Sequence, residues 1–322
     1  MAQGLLKVLG TVDITQFWYE GESDADTINV MIAPDAFLFS PTGKPPFHVT
    51  HVFDDAQVKG TGTNPAVHNG KVKIRLEDLD AVELHYEGYR QAFGETCTRA
   101  LHDRLAKFGE NPLRCEVRTF IDKPSDAFDT YARLIGSVVI VDEKGKDLLN
   151  VNDWLLTAGW ALPAFYNSAS VAEIKHALGC ANHAHDALAG MWGSLTNQVE
   201  EPYLNLKYQR HGAFDPAADI GPFVIPKFFR RQVAWKHDHA SVPSFKAYLA
   251  KTHDDGWVML DKFLANTHMK PTEKNFSALV VDGKLTVGPS DIVFYEKASK
   301  VVNKNGKEIT AWDTPAHKRA AA

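Results

Sequence analysis

The sequence predicts an α+β fold, and three observations carry that expectation. Apolar residues alternate with polar ones at Ile28, Val30 and Ile32, and again at Ile74 and Leu76, the period of half-buried strands. From Gly94 the spacing changes, with Cys97, Leu101, Leu105 and Phe108 falling on one helical face and Gly109 providing a stop. Ser170 followed three residues later by Glu173 gives the capping-box signature of a further helix. The 322-residue chain is long enough for two modest cores, and its 44% hydrophobic and 23% charged residues are ordinary for a globular protein.

In chain order, Val8, Leu9, Val12 and Ile14 are strand formers leading to the aromatic group Phe17, Trp18 and Tyr19. The polar turn GESDADT separates this segment from the strand at Ile28 to Ile32. Residues from about 33 to 69 carry Pro34, Pro41, Pro45, Pro46 and Pro65 and read as a long connection, with short strands, inserted between two strands of one sheet. Asn69-Gly70 turns the chain into Lys71 to Leu76. After the helix at Gly94, strands are expected at Leu113 to Phe120 and Leu134 to Val141. Helices follow at Leu148 to Ala158 and within AEIKHALGCANHAHDALAG. Residues 196–234, rich in Pro, Gly and aromatics, read as irregular chain. Ser244 to Ala250 and Trp257 to Asn266 read as helices, and two hairpins turn at Asp282-Gly283 and Asn305-Gly306.

The net charge of −5 divides unevenly, −10 over residues 1–200 and +5 over 201–322. That asymmetry suggests two modules, 1–195 and 196–322, the second an α+β extension of unassigned role. Its basic charge is read either as a meeting place for a polyanion or as solvated surface. Cys97, Cys115 and Cys180 lack CxxC spacing and read as small buried hydrophobes. His176, His183 and His185 read as solvated or packed side chains. The run at 237–239 is too short to count as more than a surface turn. No stretch is long and apolar enough to cross a bilayer, so no membrane partner is expected. The N-terminal segment lacks the apolar core of a secretory signal, which leaves the compartment open.

The stretch KIRLEDLDAVE, Lys73 to Glu83, is a strand running into a turn that delivers Arg75, Asp80 and Glu83 to one rim. One guanidinium and two carboxylates suit work on a phosphate ester: a cation for phosphoryl oxygens, a carboxylate for a metal, and a carboxylate to activate water.

Around that trio, six ordered segments resemble the staphylococcal nuclease family. DADT at 24–27 is similar to the family's DGDT turn, and RLEDLDAVE at 75–83 to its arginine strand and DTPE segment. FGETCTRALHDRL at 93–105 resembles its first helix, and DTYARLIGSVVI at 129–140 its DKYGR hairpin. NDWLLTAGWA at 152–161 and GMWGSL at 190–195 resemble its second helix and closing tryptophan. The resemblance implies an OB-type five-stranded β-barrel with three helices over about 10–195. It implies calcium-dependent hydrolysis of DNA or RNA phosphodiesters, leaving 3′-phosphates. It makes Asp26, Asp80 and the carbonyl of Ala81 calcium ligands, Arg75 and Arg133 phosphate-binding, and Glu83 the base that activates water. Tyr131 would lie near the nucleotide phosphate, and Tyr166 is a candidate for a second aromatic wall. Four segments depart from the pattern: DAVE loses a threonine and a proline, DADT loses a glycine, Thr130 stands where the family has a lysine, and ALPAFYN at 161–167 offers Phe165 and Tyr166 at a changed second aromatic wall. The other reading of the same resemblance is an inactive barrel that binds nucleic acid or protein.

Overall fold

The computed structural model describes residues 4–210, 214–238, 241–251, 255–271 and 274–312. From the N-terminus come strands β1 (Gly4–Val12), β2 (Thr27–Pro41) and β3 (Phe47–His48), then a short helix α1 (Thr50–Phe53). Strands β4 (Gln57–Lys59), β5 (Thr63–Pro65), β6 (Lys71–Leu76) and β7 (Leu79–Asp80) lead to helix α2 (Gly94–Ala106). Strands β8 (Leu113–Ile121), β9 (Leu134–Val141) and β10 (Asp147–Asn150) precede α3 (Val151–Thr157). Then come β11 (Leu162–Pro163), β12 (Phe165–Tyr166) and α4 (Val171–Asp186). The C-terminal part adds α5 (Pro226–Asp238), α6 (Phe245–Leu249), β13 (Trp257–Met259) and α7 (Leu260–Ala265). It ends with β14 (Val280–Val281), β15 (Lys284–Leu285), β16 (Ile292–Phe294) and β17 (Lys300–Val302).

The architecture is mixed α+β, with five strands paired in a ring. β1 runs antiparallel to both β2 and β8, β2 to β6, and β8 to β9, while β6 and β9 meet in parallel. Leu6, Val8, Ile28, Val30, Ile74 and Val117 are fully buried, the inward members of alternating strands. Cys97, Leu101 and Leu105 of α2 are buried in the same core. α4 opens with the capping box expected from Ser170 and Glu173.

Several local readings are corrected. Strand β2 continues to Pro41, because residues 33–36 loop out as a bulge: Gly10 pairs Ile32 while Val8 already pairs Phe37. Pro34 sits in that bulge and Pro41 at the strand's end, the positions where a missing N–H is tolerated. Residues 147–150 form β10 before α3 begins at Val151. The segment 257–266 splits into β13 and α7, since Trp257 to Met259 pair with β16. The chain at 196–234 is not irregular to its end, because α5 starts at Pro226. The hairpin at Asp282-Gly283 joins β14 to β15 as expected. Asn305-Gly306 turns where Gly306 N–H donates to the Asn303 carbonyl (2.8 Å). The run at 237–239 ends outside the described residues.

The C-terminal part packs against the ring. β16 pairs in parallel with β12, and β17 pairs antiparallel with β4 of the connection after β2. Trp312 stacks on Phe39 of β2 with ring centroids 4.3 Å apart. Among the described residues no helix is long and apolar enough to cross a membrane.

Candidate active site

Three adjacent strands bring the predicted residues to one end of the ring. Asp26 immediately precedes β2, Arg75 lies on β6 opposite Thr27, and Arg133 immediately precedes β9 beside β6. After β6 the chain turns through Asp78, which takes a left-handed φ of 62°, into β7; Asp80 there pairs with Leu162 of β11. The Ala81 N–H donates to Asp26 Oδ2 (3.1 Å), tying the β7 turn back to the start of β2. Ala25 does not take a positive φ, so the DADT turn is open to alanine without strain.

Glu83 is held at both backbone ends by Gln91, whose Oε1 accepts the Glu83 N–H (3.0 Å) and whose N–H donates to the Glu83 carbonyl (2.9 Å). Gly94, opening α2, lies so close that an added Cβ would sit 2.7 Å from the Glu83 carbonyl oxygen. Only a residue without Cβ lets the helix approach the base-bearing turn this closely.

Arg75 bridges the two aspartates: Nη1 is ion-paired with Asp26, and Nη2 donates to Asp80 Oδ1 (2.6 Å). Asp26, Arg75, Asp80 and Glu83 are all buried. Arg133 is organised by Asp129, which accepts the Arg133 and Tyr131 backbone N–H groups at Oδ1 (both 2.9 Å) and the Arg133 Nε–H at Oδ2 (2.7 Å). Arg133 Nη1 reaches Thr27 Oγ1 at 3.4 Å, next to Asp26. Tyr131, 64% exposed, stands at the rim with the Arg133 guanidinium 5.5 Å from its ring. Arg75, Arg133 and the half-buried Tyr166 line one cavity of about 310 Å³, whose walls also carry Glu77, Asp78 and Glu173.

Burial pushes the Glu83 carboxyl up to about 7, against the opposing pull of Arg230. For Asp26 burial acts the same way but is outweighed by Arg75 and Arg133, so its carboxyl stays below the usual range. Asp24 is held well above that range by burial and by the neighbouring charges of Asp26 and Glu83. Its Oδ1 is buried with no hydrogen-bond partner. Burial also raises the Tyr166 phenol.

The sequence reading missed Arg230. It projects from α5 into this cluster, ion-paired through Nη1 with Glu83 and donating from Nη2 to Asp80 Oδ2 (3.1 Å). Phe228, Phe229 and Val233, fully buried on α5, form an apolar pattern that could have signalled the helix. Nothing local pointed to its carboxylate partners.

Residues 73–194 match the family described as staphylococcal nuclease homologue. This segment is a staphylococcal nuclease homologue domain. The match begins at β6 and ends near Ser194, so β1 and β2, which complete the ring, lie ahead of it. No curated protein matches the chain.

The nuclease-homologue family is typically calcium-dependent, and the donor set here fits a hard divalent cation. Asp26 and Asp80 are near enough to share one guanidinium, and Asp24, two residues before Asp26, carries a buried, unpartnered oxygen. A second cluster on the domain is of another kind. Asp153 of α3 meets His176 Nε2 of α4 at 2.8 Å, and Cys180 Sγ lies 3.9 Å from the same nitrogen. Thiol and imidazole favour softer metals than calcium.

Proposed function

We propose that this protein is a calcium-dependent phosphodiesterase that hydrolyses DNA or RNA and leaves 3′-phosphate products. The observation that carries the proposal is the convergence of Asp26, Arg75, Asp80 and Glu83 in one buried cluster, with Arg133 lining the same cavity as Arg75. The ring of paired strands is read as the OB-type barrel of the family, with 1–195 as the nuclease module and 196–322 as an appended one.

In this reading Asp26, Asp80 and the Ala81 carbonyl would hold calcium, which would supply Lewis-acid stabilisation of a phosphoryl oxygen. Glu83 accepts a proton from the attacking water, and a carboxyl near 7 is matched to that task at neutral pH. Arg75 keeps donors beyond those engaged by the aspartates, because a guanidinium has five N–H groups. Arg75 and Arg133 neutralise charge developing on the phosphoryl group, and loss of either should cost on the order of 3–4 kcal/mol of transition-state stabilisation. Tyr131 at the rim and Tyr166 in the wall flank the nucleotide. The acidic side of the cavity repels a polyanion, which makes the two arginines and the cation the attractive elements.

The test is digestion of plasmid DNA and of RNA in calcium, magnesium or chelator. Cleavage restored by calcium and abolished by chelator is expected. Undiminished activity in excess chelator would sink the metal assignment.

A further inference from the structure

Arg230 lies outside the nuclease-homologue segment, yet it grips two of that segment's central carboxylates at once. One guanidinium nitrogen faces the proposed base, Glu83, and the other a proposed calcium ligand, Asp80. We propose that Arg230 is an in-chain competitor of the cation: its guanidinium and a divalent cation oppose one another at Asp80, so the C-terminal helix tunes the calcium affinity of the nuclease site. This inference rests on the proposed function and deepens it to the regulation of the same site.

The charges explain why competition follows. Asp80 has two carboxylate oxygens, Oδ1 taken by Arg75 and Oδ2 by Arg230. Each oxygen keeps a second lone pair, so a calcium ion at Asp80 is not blocked outright, but it must share a carboxylate whose charge two guanidinium groups already neutralise. It also meets the repulsion of a fixed positive charge within a buried cluster, where Coulomb interactions are poorly screened. The arginine is well placed to hold on. Its helix is anchored by fully buried Phe228, Phe229 and Val233, and by Gln232 Nε2 donating to the Val199 carbonyl (2.8 Å). It is also able to let go. The Arg230 side chain keeps 22% of its surface exposed, so it can swing outward while the helix stays docked. Lys227, one turn earlier on α5, sits 5.6 Å from the Tyr166 ring, so a second cation from the same helix stands at the edge of the cluster.

The experiment is calorimetric titration of the full chain with calcium chloride, comparing wild type, Arg230→Gln and Arg230→Lys. Gln removes the charge. Lys keeps the charge, and with it the fold, but lacks the planar fork that reaches two carboxylates. The expected order of affinity is Gln, then Lys, then wild type, with Gln tighter than wild type by on the order of tenfold, within the usual range of a coupling between sites. If Gln does not fold, Lys alone must still bind more tightly than wild type. Equal or weaker affinity in the folded variants overturns the competition while leaving the calcium site standing. Absence of calcium binding in all three proteins would sink both the competition and the calcium reading.

Discussion

Glu83 is a buried carboxylate pulled two ways, upward by its burial and downward by the Arg230 guanidinium, with burial prevailing at about 7. As the base it must be ionised, so kcat/KM should fall roughly tenfold per unit as pH drops below the carboxyl's own value, about 7 before calcium binds and lower with the cation beside it. The same shift has a sign for stability. The folded carboxyl binds its proton more tightly than the unfolded one, whose ordinary value is 4.5. Ionising Glu83 therefore costs stability that is absent at low pH, grows as pH rises from the ordinary value toward about 7, and stays constant above. Glu83→Gln keeps the shape and removes the base. Turnover should fall roughly 10²–10⁴-fold while the folded chain persists by circular dichroism. A near wild-type rate would mean that another group activates the water. The sequence brought Arg75, Asp80 and Glu83 together because they share one short stretch. Asp26, 55 residues from Ala81, was placed through the likeness of its DADT turn to the family pattern. Arg230 escaped because it lies 147 residues from Glu83, and a single arginine on a helix carries no mark of a distant carboxylate.

At the scale of the elements, the first turn of α2 is the support on which Glu83 rests. The helical spacing of Cys97, Leu101 and Leu105 was legible because it is a local periodicity. The reason for Gly94 was not, since it depends on how closely that turn meets the Glu83 backbone. Gly94→Ala should destabilise the chain. The gain in helix propensity is at most about 1 kcal/mol. Forcing a methyl against a carbonyl oxygen costs about 1–3 kcal/mol. Because the backbone that yields is that of Glu83, turnover should fall together with the melting temperature. An unchanged or raised melting temperature would show that the helix can shift without strain. Strand β2 teaches the complementary lesson. Its prolines suggested a connection, but a bulge at 33–36 absorbs one and the strand's end takes the other. Bulges are set by pairing with a partner strand, here β1, and a single strand's pattern does not reveal them.

Across the whole molecule, a basic part following an acidic one leaves two roles to separate for residues 201–322, anchoring nucleic acid or docking on the acidic first part. The contacts describe a docked state. Asp219, fully buried, accepts the Thr96 N–H in the first turn of α2 (2.7 Å) and is ion-paired with Arg90. β16 extends β12, β17 covers β4, and Arg230 neutralises part of the buried acidic cluster. Ending the chain at residue 197 would strip all four contacts at once. Arg90 would lose its Asp219 partner, and breaking a buried ion pair by removing one member typically costs 3–5 kcal/mol. Phe165, fully buried on β12, would lose the β16 strand that pairs with it. The truncated chain should therefore melt at markedly lower temperature or aggregate, as seen by calorimetry and by its solubility. Removing residues 198–322, with a net charge of +4, would also take away phosphate partners, so the salt dependence of DNA binding separates the two roles. In a docked arrangement, loss of stability precedes any loss of binding. A truncated chain that stays soluble and stable, yet binds DNA with a flattened salt dependence, would make the C-terminal part an anchor.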